Sequence, residues 1–145
     1  PESGLSNRRN PPMTDKLLSS LPLSVRWGDM DSFNHVNNAA FATYLEEARM
    51  HWFTSLGPGW IDQRIMPILA AQTINYRIPI EWPAAIAVEL RTERIGRTSL
   101  TLAFRIVSTA SPVRHYADGS HVLVWVDRAS GRSVPLPELV RSAAA

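Results

Sequence analysis

The sequence predicts an α+β domain in which one long helix precedes a run of antiparallel strands. Three observations carry that prediction. Residues 37–56 place apolar side chains at three- and four-residue spacing, the period of a helix. Residues 68–127 alternate apolar with polar instead, the period of a strand, and Gly or Pro separates the segments. The breaks between those segments are too short for crossover helices, so the strands pair as antiparallel neighbours.

Each element has its own local reason. Residues 1–20, with PESGLSNRRNPP, lack periodicity and are rich in Pro, Ser, Asn and Arg, so they read as a tail ahead of a domain over 21–145. Leu17, Leu18 and Leu21 are placed to pin its end to the body. Residues 23–27 read as a short strand in which Val25 and Trp27 alternate with Ser24 and Arg26, and Gly28 ends it. From Gly28 to Asn38 nearly every residue is a turn or cap former. The helix starts at Asn37 or Asn38, both good caps, and stops near Leu56 before Gly57, Pro58 and Gly59. Phe41, Tyr44, Leu45, Ala48, Trp52 and Phe53 give it one wide apolar face, with Glu46, Glu47, Arg49 and Thr54 expected off that face.

Residues 60–66 form a connector, and residues 68–78 a strand closed by Pro79 and Pro83. Ala85–Ile95 and Ser99–Ser108 make a hairpin about Gly96-Arg97. His115–Asp127 is the last strand, where Gly119 predicts a bulge or sharp bend. Pro135 and Pro137 then predict an extended segment and a short helical cap. A curved antiparallel sheet wrapped around one central helix satisfies both the wide apolar face and the alternation. That is the hotdog arrangement.

Bulk composition bounds the function. A chain of 145 residues, 45% of them hydrophobic, is one domain with a real core. Without cysteine there is no disulfide, thiolate metal site or cysteine nucleophile, which agrees with a reducing cytoplasm. The pI of 9.5 comes with a net charge of only +2. The arginines are scattered between hydrophobic runs, so no nucleic-acid partner is expected. No apolar run reaches the roughly 20 residues of a membrane span, and no charged-then-apolar segment opens the chain. A cytoplasmic protein with no membrane partner is therefore expected.

Chemistry concentrates in RWGDMDSFNHVNNAAFATYLEEAR. A carbonyl gains negative charge when attacked, and the unpaired N–H groups of a helix start, aided by its dipole, are donors for that charge. Asp31 lies seven residues ahead of the helix's first turn, close enough to fold back to the same carbonyl. Asp29, directly after Gly28, reads as a carboxylate bonding turn backbone or pairing with an arginine. His35 is divided between a loop bond and a catalytic or substrate contact. His51, His115 and His121 read as structural, as do Phe41 and Tyr44 on the wrapped face. No His and acid pair has metal-ligand spacing, so no metal is expected, and the lack of a Gly-x-Ser-x-Gly elbow argues against a serine hydrolase.

This string resembles the signature of hotdog-fold acyl-CoA thioesterases of the 4-hydroxybenzoyl-CoA thioesterase class, where a D-x-D-x-x-x-H-V-N-N-x-x-[FY] loop enters the central helix. INYRIP, RIGRTSLTL and RSVPLPELV resemble the later strands and tail of the same family, so the likeness runs over residues 23–141. The resemblance implies that Asp31 is the catalytic aspartate, either nucleophile or the base that activates water. It implies that the backbone N–H of Asn38 polarises the carbonyl, and that His35 and Asn37 belong to the site. It sets the strand bearing Tyr76 near the acyl pocket of a neighbouring subunit, while Arg77, Arg94 and Arg97 are candidates for pantetheine phosphate or nucleotide.

The implied activity is hydrolysis of acyl-CoA to free acid and thiol without a cofactor. Pairing of exposed sheet edges implies a homodimer or homotetramer with the site at the subunit interface. Two rivals stand beside it. A hotdog enoyl-CoA hydratase would carry G-D-x-N-P-x-H, whereas here Gly28-Asp29-Met30 is followed by Asp31-Ser32-Phe33-Asn34 and His35 falls one place late. A non-catalytic acyl-CoA-binding module would keep the fold, against which the intact Asp31 motif weighs.

Overall fold

Strand pairing sets the architecture. The computed structural model describes residues 16–145. The elements run β1 (Leu17–Ser24), a 3-10 turn (Trp27–Asp29), α1 (Asn38–Ser55), β2 (Ile65–Tyr76), β3 (Ala85–Ile95), β4 (Ser99–Ser108), β5 (His115–Asp127) and α2 (Glu138–Ala144). The strands form one antiparallel sheet in the order β1-β3-β4-β5-β2, so β1 and β2 are its edges. With α1 packed against one face of that sheet, this is the hotdog fold that the element order predicts.

The core lies between α1 and the sheet. Phe41, Tyr44, Leu45, Ala48, Trp52 and Phe53 of α1 are buried against alternate residues of three strands: Ile86, Val88 and Leu90 of β3, Leu100 to Ile106 of β4, and Ala117, Leu123 and Trp125 of β5. At the helix C-terminal end Phe53 stacks on Trp60 at 4.8 Å and meets Trp125 edge to face at 5.8 Å. The indole N–H of Trp125 donates to the Trp60 carbonyl, so the connector after α1 is tied to β5. Among the described residues no helix is long and apolar enough to cross a membrane.

Four expectations need correction. The first strand covers Leu17–Ser24 and not residues 23–27, because its pairing with β3, from Leu17↔Arg91 to Ser24↔Ala85, overrides local composition. Leu17 to Ser20 therefore belong to the sheet and not to a tail, and Pro22 is tolerated because β1 is an edge. The rest of the expected tail, residues 1–15, lies outside the described residues. Trp27 opens the 3-10 turn, which Asp29 closes by accepting from the backbone N–H of Arg26. β2 starts at Ile65 and ends at Tyr76, since beyond that point Arg77 and Ile78 both donate to the single carbonyl of Tyr116 and the ladder stops.

The third correction concerns Gly119. No register shift marks it; its backbone has φ +156°, and an added Cβ would sit 1.9 Å from the Thr73 carbonyl oxygen, so glycine serves close approach of β2 to β5. The fourth is Arg49, which is buried, because β5 and β2 cover its side of the helix as well. Its guanidinium lies 3.5 Å from His121 Nδ1 and 3.4 Å from Gln72 Oε1. Arginine only donates, so His121 accepts at Nδ1 and carries its proton on Nε2, which is buried without a partner among the described residues. Burial, with the Arg49 charge added, pushes the imidazole down to about 3.

Candidate active site

The loop ahead of α1 is built from backbone hydrogen bonds that its turn-forming residues permit. Asp31 N–H donates to the His35 carbonyl at 2.8 Å, and Asn34 at the tip takes φ 59°, a left-handed conformation that Asn tolerates. Val36 N–H donates to the Ile80 carbonyl and Asn37 N–H to the Asp29 carbonyl, each at 2.8 Å, fixing both ends of the loop to the body.

Asp29 and Asp31 are thereby separated into different roles. Asp29 is buried and accepts from the Arg26 N–H, the Arg26 guanidinium and the Tyr44 hydroxyl. Burial raises its carboxyl, but the Arg26 backbone donor, the Tyr44 hydroxyl and the Arg26 guanidinium together outweigh that and hold it below the usual carboxylate range. It is a structural anion. Asp31 uses Oδ1 to accept from the N–H groups of Phe33 at 2.8 Å and His35 at 3.2 Å, while no hydrogen bond among the described residues reaches its Oδ2. One oxygen orients the carboxylate, and the other is without a hydrogen-bond partner among the described residues.

The helix start supplies the complementary charge. Asn37 caps α1, its Oδ1 accepting from the Ala39 N–H at 2.9 Å, and Ala40 N–H donates to the Asn37 carbonyl. Asn38 N–H carries no hydrogen bond among the described residues. Its carbonyl accepts from the Tyr76 hydroxyl at 3.2 Å, and the Tyr76 ring meets Phe41 edge to face at 4.9 Å.

These groups converge. A cleft of about 200 Å³ is lined by Asp31, His35, Val36, Asn38 and Phe41 from the loop and helix and by Tyr76, Arg77, Ile78 and Pro79 from the end of β2. A carboxylate with a free oxygen and a helix N-terminus thus face one cavity, the combination needed to attack a carbonyl and hold the charge that develops on it. Two larger depressions, of about 550 and 440 Å³, lie at the β2–β3 and β4–β5 connections and beside β2, β4 and β5, and neither includes the helix start. Among the described residues no three His, Asp or Glu side chains converge as metal ligands.

Of the sequence-predicted residues, Asp31, His35, Asn38, Tyr76 and Arg77 share this cleft. Asn37 adjoins it with its side-chain oxygen committed to the cap. Arg77 contributes to the wall, but its guanidinium is held by Asp118 in two 3.0 Å hydrogen bonds. Arg94 and Arg97 are not brought there. They lie at the far end of β3 and in the turn after it, roughly 30 Å of strand from Ala85, where Arg97's carbonyl receives Leu136 N–H. Sequence reasoning leaves Phe41 and Tyr44 in the core, although Phe41 also walls the cleft and Tyr44 braces Asp29. A tyrosine on a buried helix face, whose hydroxyl needs a partner, is the available signal for the second. Nothing in the sequence marks Asp118.

Comparison with known proteins gives concordant matches. The model of the thioesterase-like superfamily matches residues 25–144. Among solved structures, the PA2801 protein of Pseudomonas aeruginosa, proposed to be a thioesterase, is 41% identical and superposes with a TM-score of 0.84 over 90% of this chain and 100% of its own. The XC229 protein of Xanthomonas campestris, proposed to be an acyl-CoA thioesterase, is 45% identical with a TM-score of 0.72 over 81% of this chain and 100% of its own. A thioesterase from Thermus thermophilus, solved with coenzyme A and Zn, is 31% identical with a TM-score of 0.75 over 90% of this chain and 94% of its own.

Proposed function

This chain belongs to the thioesterase-like superfamily, and we propose that it hydrolyses acyl-CoA thioesters to the free acid and CoA. The observation that carries the reading is the shared cleft, lined both by Asp31, whose Oδ2 accepts no hydrogen bond, and by Asn38, whose N–H donates none among the described residues. The complex of the Thermus relative with coenzyme A supports the CoA part of it.

In this mechanism the thioester oxygen lies at the N-terminus of α1, where the Asn38 N–H and the helix dipole stabilise the negative charge. Asp31 then acts in one of two ways. As base it takes a proton from water while the oxygen attacks the carbonyl carbon; the C–S bond breaks and the thiolate receives that proton. As nucleophile it forms a mixed anhydride with loss of thiolate, and water cleaves the anhydride in a second step. Both sum to thioester plus water giving acid plus thiol. His35 lines the approach, and Tyr76 supports the first turn of the helix from the opposite wall.

The working unit in this reading is a homodimer or a tetramer built from it. β2 is a 12-residue edge strand without a charged residue. Ile68, Leu69, Tyr76 and Ile78 along and just past it are 42, 44, 48 and 39% exposed, an edge that invites pairing with a second copy. The 200 Å³ cleft at its end is smaller than ordinary ligand sites of about 300 Å³ upward, so a second protomer would deepen it. Arg94 and Arg97 enter this site only as contributions from that second protomer.

Thiol release from a panel of acyl-CoA esters, measured for the parent and for Asp31→Asn, tests the reading. The parent should release thiol from at least one ester, and the variant should lose about 100-fold or more in kcat, the scale of a positioned acid-base group. An equally active Asp31→Asn removes Asp31 from the mechanism. Binding of acyl-CoA with no thiol release from any ester makes the protein a binding module.

A further inference from the structure

Tyr76, the last residue of β2, and Arg77, the residue after it, face opposite sides of the sheet. Tyr76 points to the helix side, where its hydroxyl donates to the Asn38 carbonyl and its ring packs on Phe41. Arg77 points to the outer side, where Asp118 of β5 takes its guanidinium with both carboxylate oxygens, Nε to Oδ2 and Nη2 to Oδ1, each at 3.0 Å. Asn75 Nδ2 adds a bond to Oδ1 at 3.1 Å, and His115 Nε2 lies 2.8 Å from Oδ2. Asn75, Arg77 and His115 thus gather around the single carboxylate of Asp118.

The location gives this cluster its meaning. An exposed ion pair contributes little stability by itself. Here it sits where the β2–β5 ladder stops: Asn75↔Asp118 and Tyr76↔Ala117 are the last pairs of an edge strand that has no neighbour on its other side. A strand end of that kind frays unless it is tied. The tie is bidentate and therefore directional, and the Arg77 guanidinium, with Asn75 and His115, holds the Asp118 carboxyl below the usual range against the effect of burial.

Resting on the hydrolase reading above, we infer that Asp118 is a positioning residue for the site: from the outer face of the sheet it clamps Arg77, and through the adjacent Tyr76 it fixes the first turn of α1 where the thioester carbonyl is polarised. Asp118 touches no substrate. Its influence passes from carboxylate to guanidinium, along one peptide unit to Tyr76, and across a hydrogen bond to Asn38.

The experiment compares parent, Asp118→Asn, Tyr76→Phe and the double variant by amide hydrogen exchange and by steady-state kinetics well below each variant's melting temperature. Exchange at the Ala39 and Ala40 amides should be roughly 10-fold faster in Asp118→Asn while the β3–β4 hairpin is unchanged, the mark of a local opening. Tyr76→Phe should do the same, and the double variant should add less than about twofold, because both substitutions break one chain of contacts. On an acyl-CoA that the parent hydrolyses, Asp118→Asn should lower kcat by about 10-fold with KM within about twofold, since a misplaced polarising group acts on the transition state. Parent-like exchange at Ala39 and Ala40 overturns the clamp whether or not the protein is a hydrolase. Faster exchange with unchanged kcat, or losses that multiply in the double variant, overturns its link to the site. A parent that hydrolyses nothing defeats the hydrolase reading alone, and the exchange data then decide the clamp.

Discussion

The Tyr44 hydroxyl donates to the Asp29 carboxylate at 2.7 Å, joining the middle of the helix to the loop that precedes it. The bond is buried, and Asp29 also takes the Arg26 backbone and guanidinium, so the loop's entry angle is set by one saturated anion. Tyr44→Phe removes a hydrogen bond to a charge while leaving the ring in place, and unfolding in urea should show a loss of about 1.5–3 kcal/mol. A variant as stable as the parent would mean that Arg26 alone satisfies Asp29.

How much of this is legible in the sequence follows from which interactions are local. The β3–β4 hairpin and β5 match their predicted bounds, because alternation and a glycine turn are written in consecutive residues. The helix start at Asn38, with Asn37 as cap, is legible for the same reason. β1 is not, because what makes Leu17–Ser24 a strand is β3, some 70 residues away in the chain. Arg49 is expected off the apolar face because helical spacing says which residues share a face but not how far the sheet extends round it. The place of Asp31 beside the helix start is readable from its motif, whereas the cluster around Asp118 is not, since Asn75 and Arg77 become its neighbours only through strand register.

Gly119 predicts a severe local requirement. Its φ of +156° is open to glycine, and a Cβ there would meet the Thr73 carbonyl oxygen at 1.9 Å and the Phe104 ring at 3.0 Å. Backbone of β2 cannot yield as a flexible side chain would. Gly119→Ala should therefore cost about 3 kcal/mol or more, at the upper end of overpacking effects. Chemical denaturation checks it, and a loss under about 1 kcal/mol would show that β2 can stand away from β5 there.

His121 predicts a pH dependence of stability. Its folded pKa of about 3 lies below the ordinary histidine value of 6.5, so between those values the unfolded chain binds the extra proton. Stability is then fully present above about pH 6.5 and falls as pH drops toward 3, by up to about 1.4 kcal/mol per pH unit. Asp29 and Asp118, both lowered from 3.8, lose their contributions only at more acid pH, so pH 4.5–6.5 is the window in which the His121 contribution changes. Urea unfolding across that window should show the slope in the parent and a reduced one in His121→Leu. Equal slopes would assign the dependence to other groups.

Asn37 allows the structural and electrostatic roles of the helix start to be separated. Its Oδ1 occupies the Ala39 N–H, and the neighbouring Asn38 N–H, in a residue that lines the cleft, carries no hydrogen bond among the described residues. Asn37→Ala removes the cap and should cost about 1 kcal/mol of stability, with activity falling as the first turn frays. Asn37→Asp keeps an equally good cap, and its negative charge suits the helix dipole, so stability should be held or slightly raised. The same charge opposes an oxyanion forming at the helix start, so thiol release by Asn37→Asp should fall by at least about 10-fold, within the range expected when such stabilisation is weakened. The loss should appear in kcat, because the carbonyl carries its charge only in the transition state. A stable Asn37→Asp variant with parental kcat would show that the carbonyl does not face the N-terminus of α1, and the polarising role of the Asn38 N–H would have to be abandoned even if Asp31 proved essential.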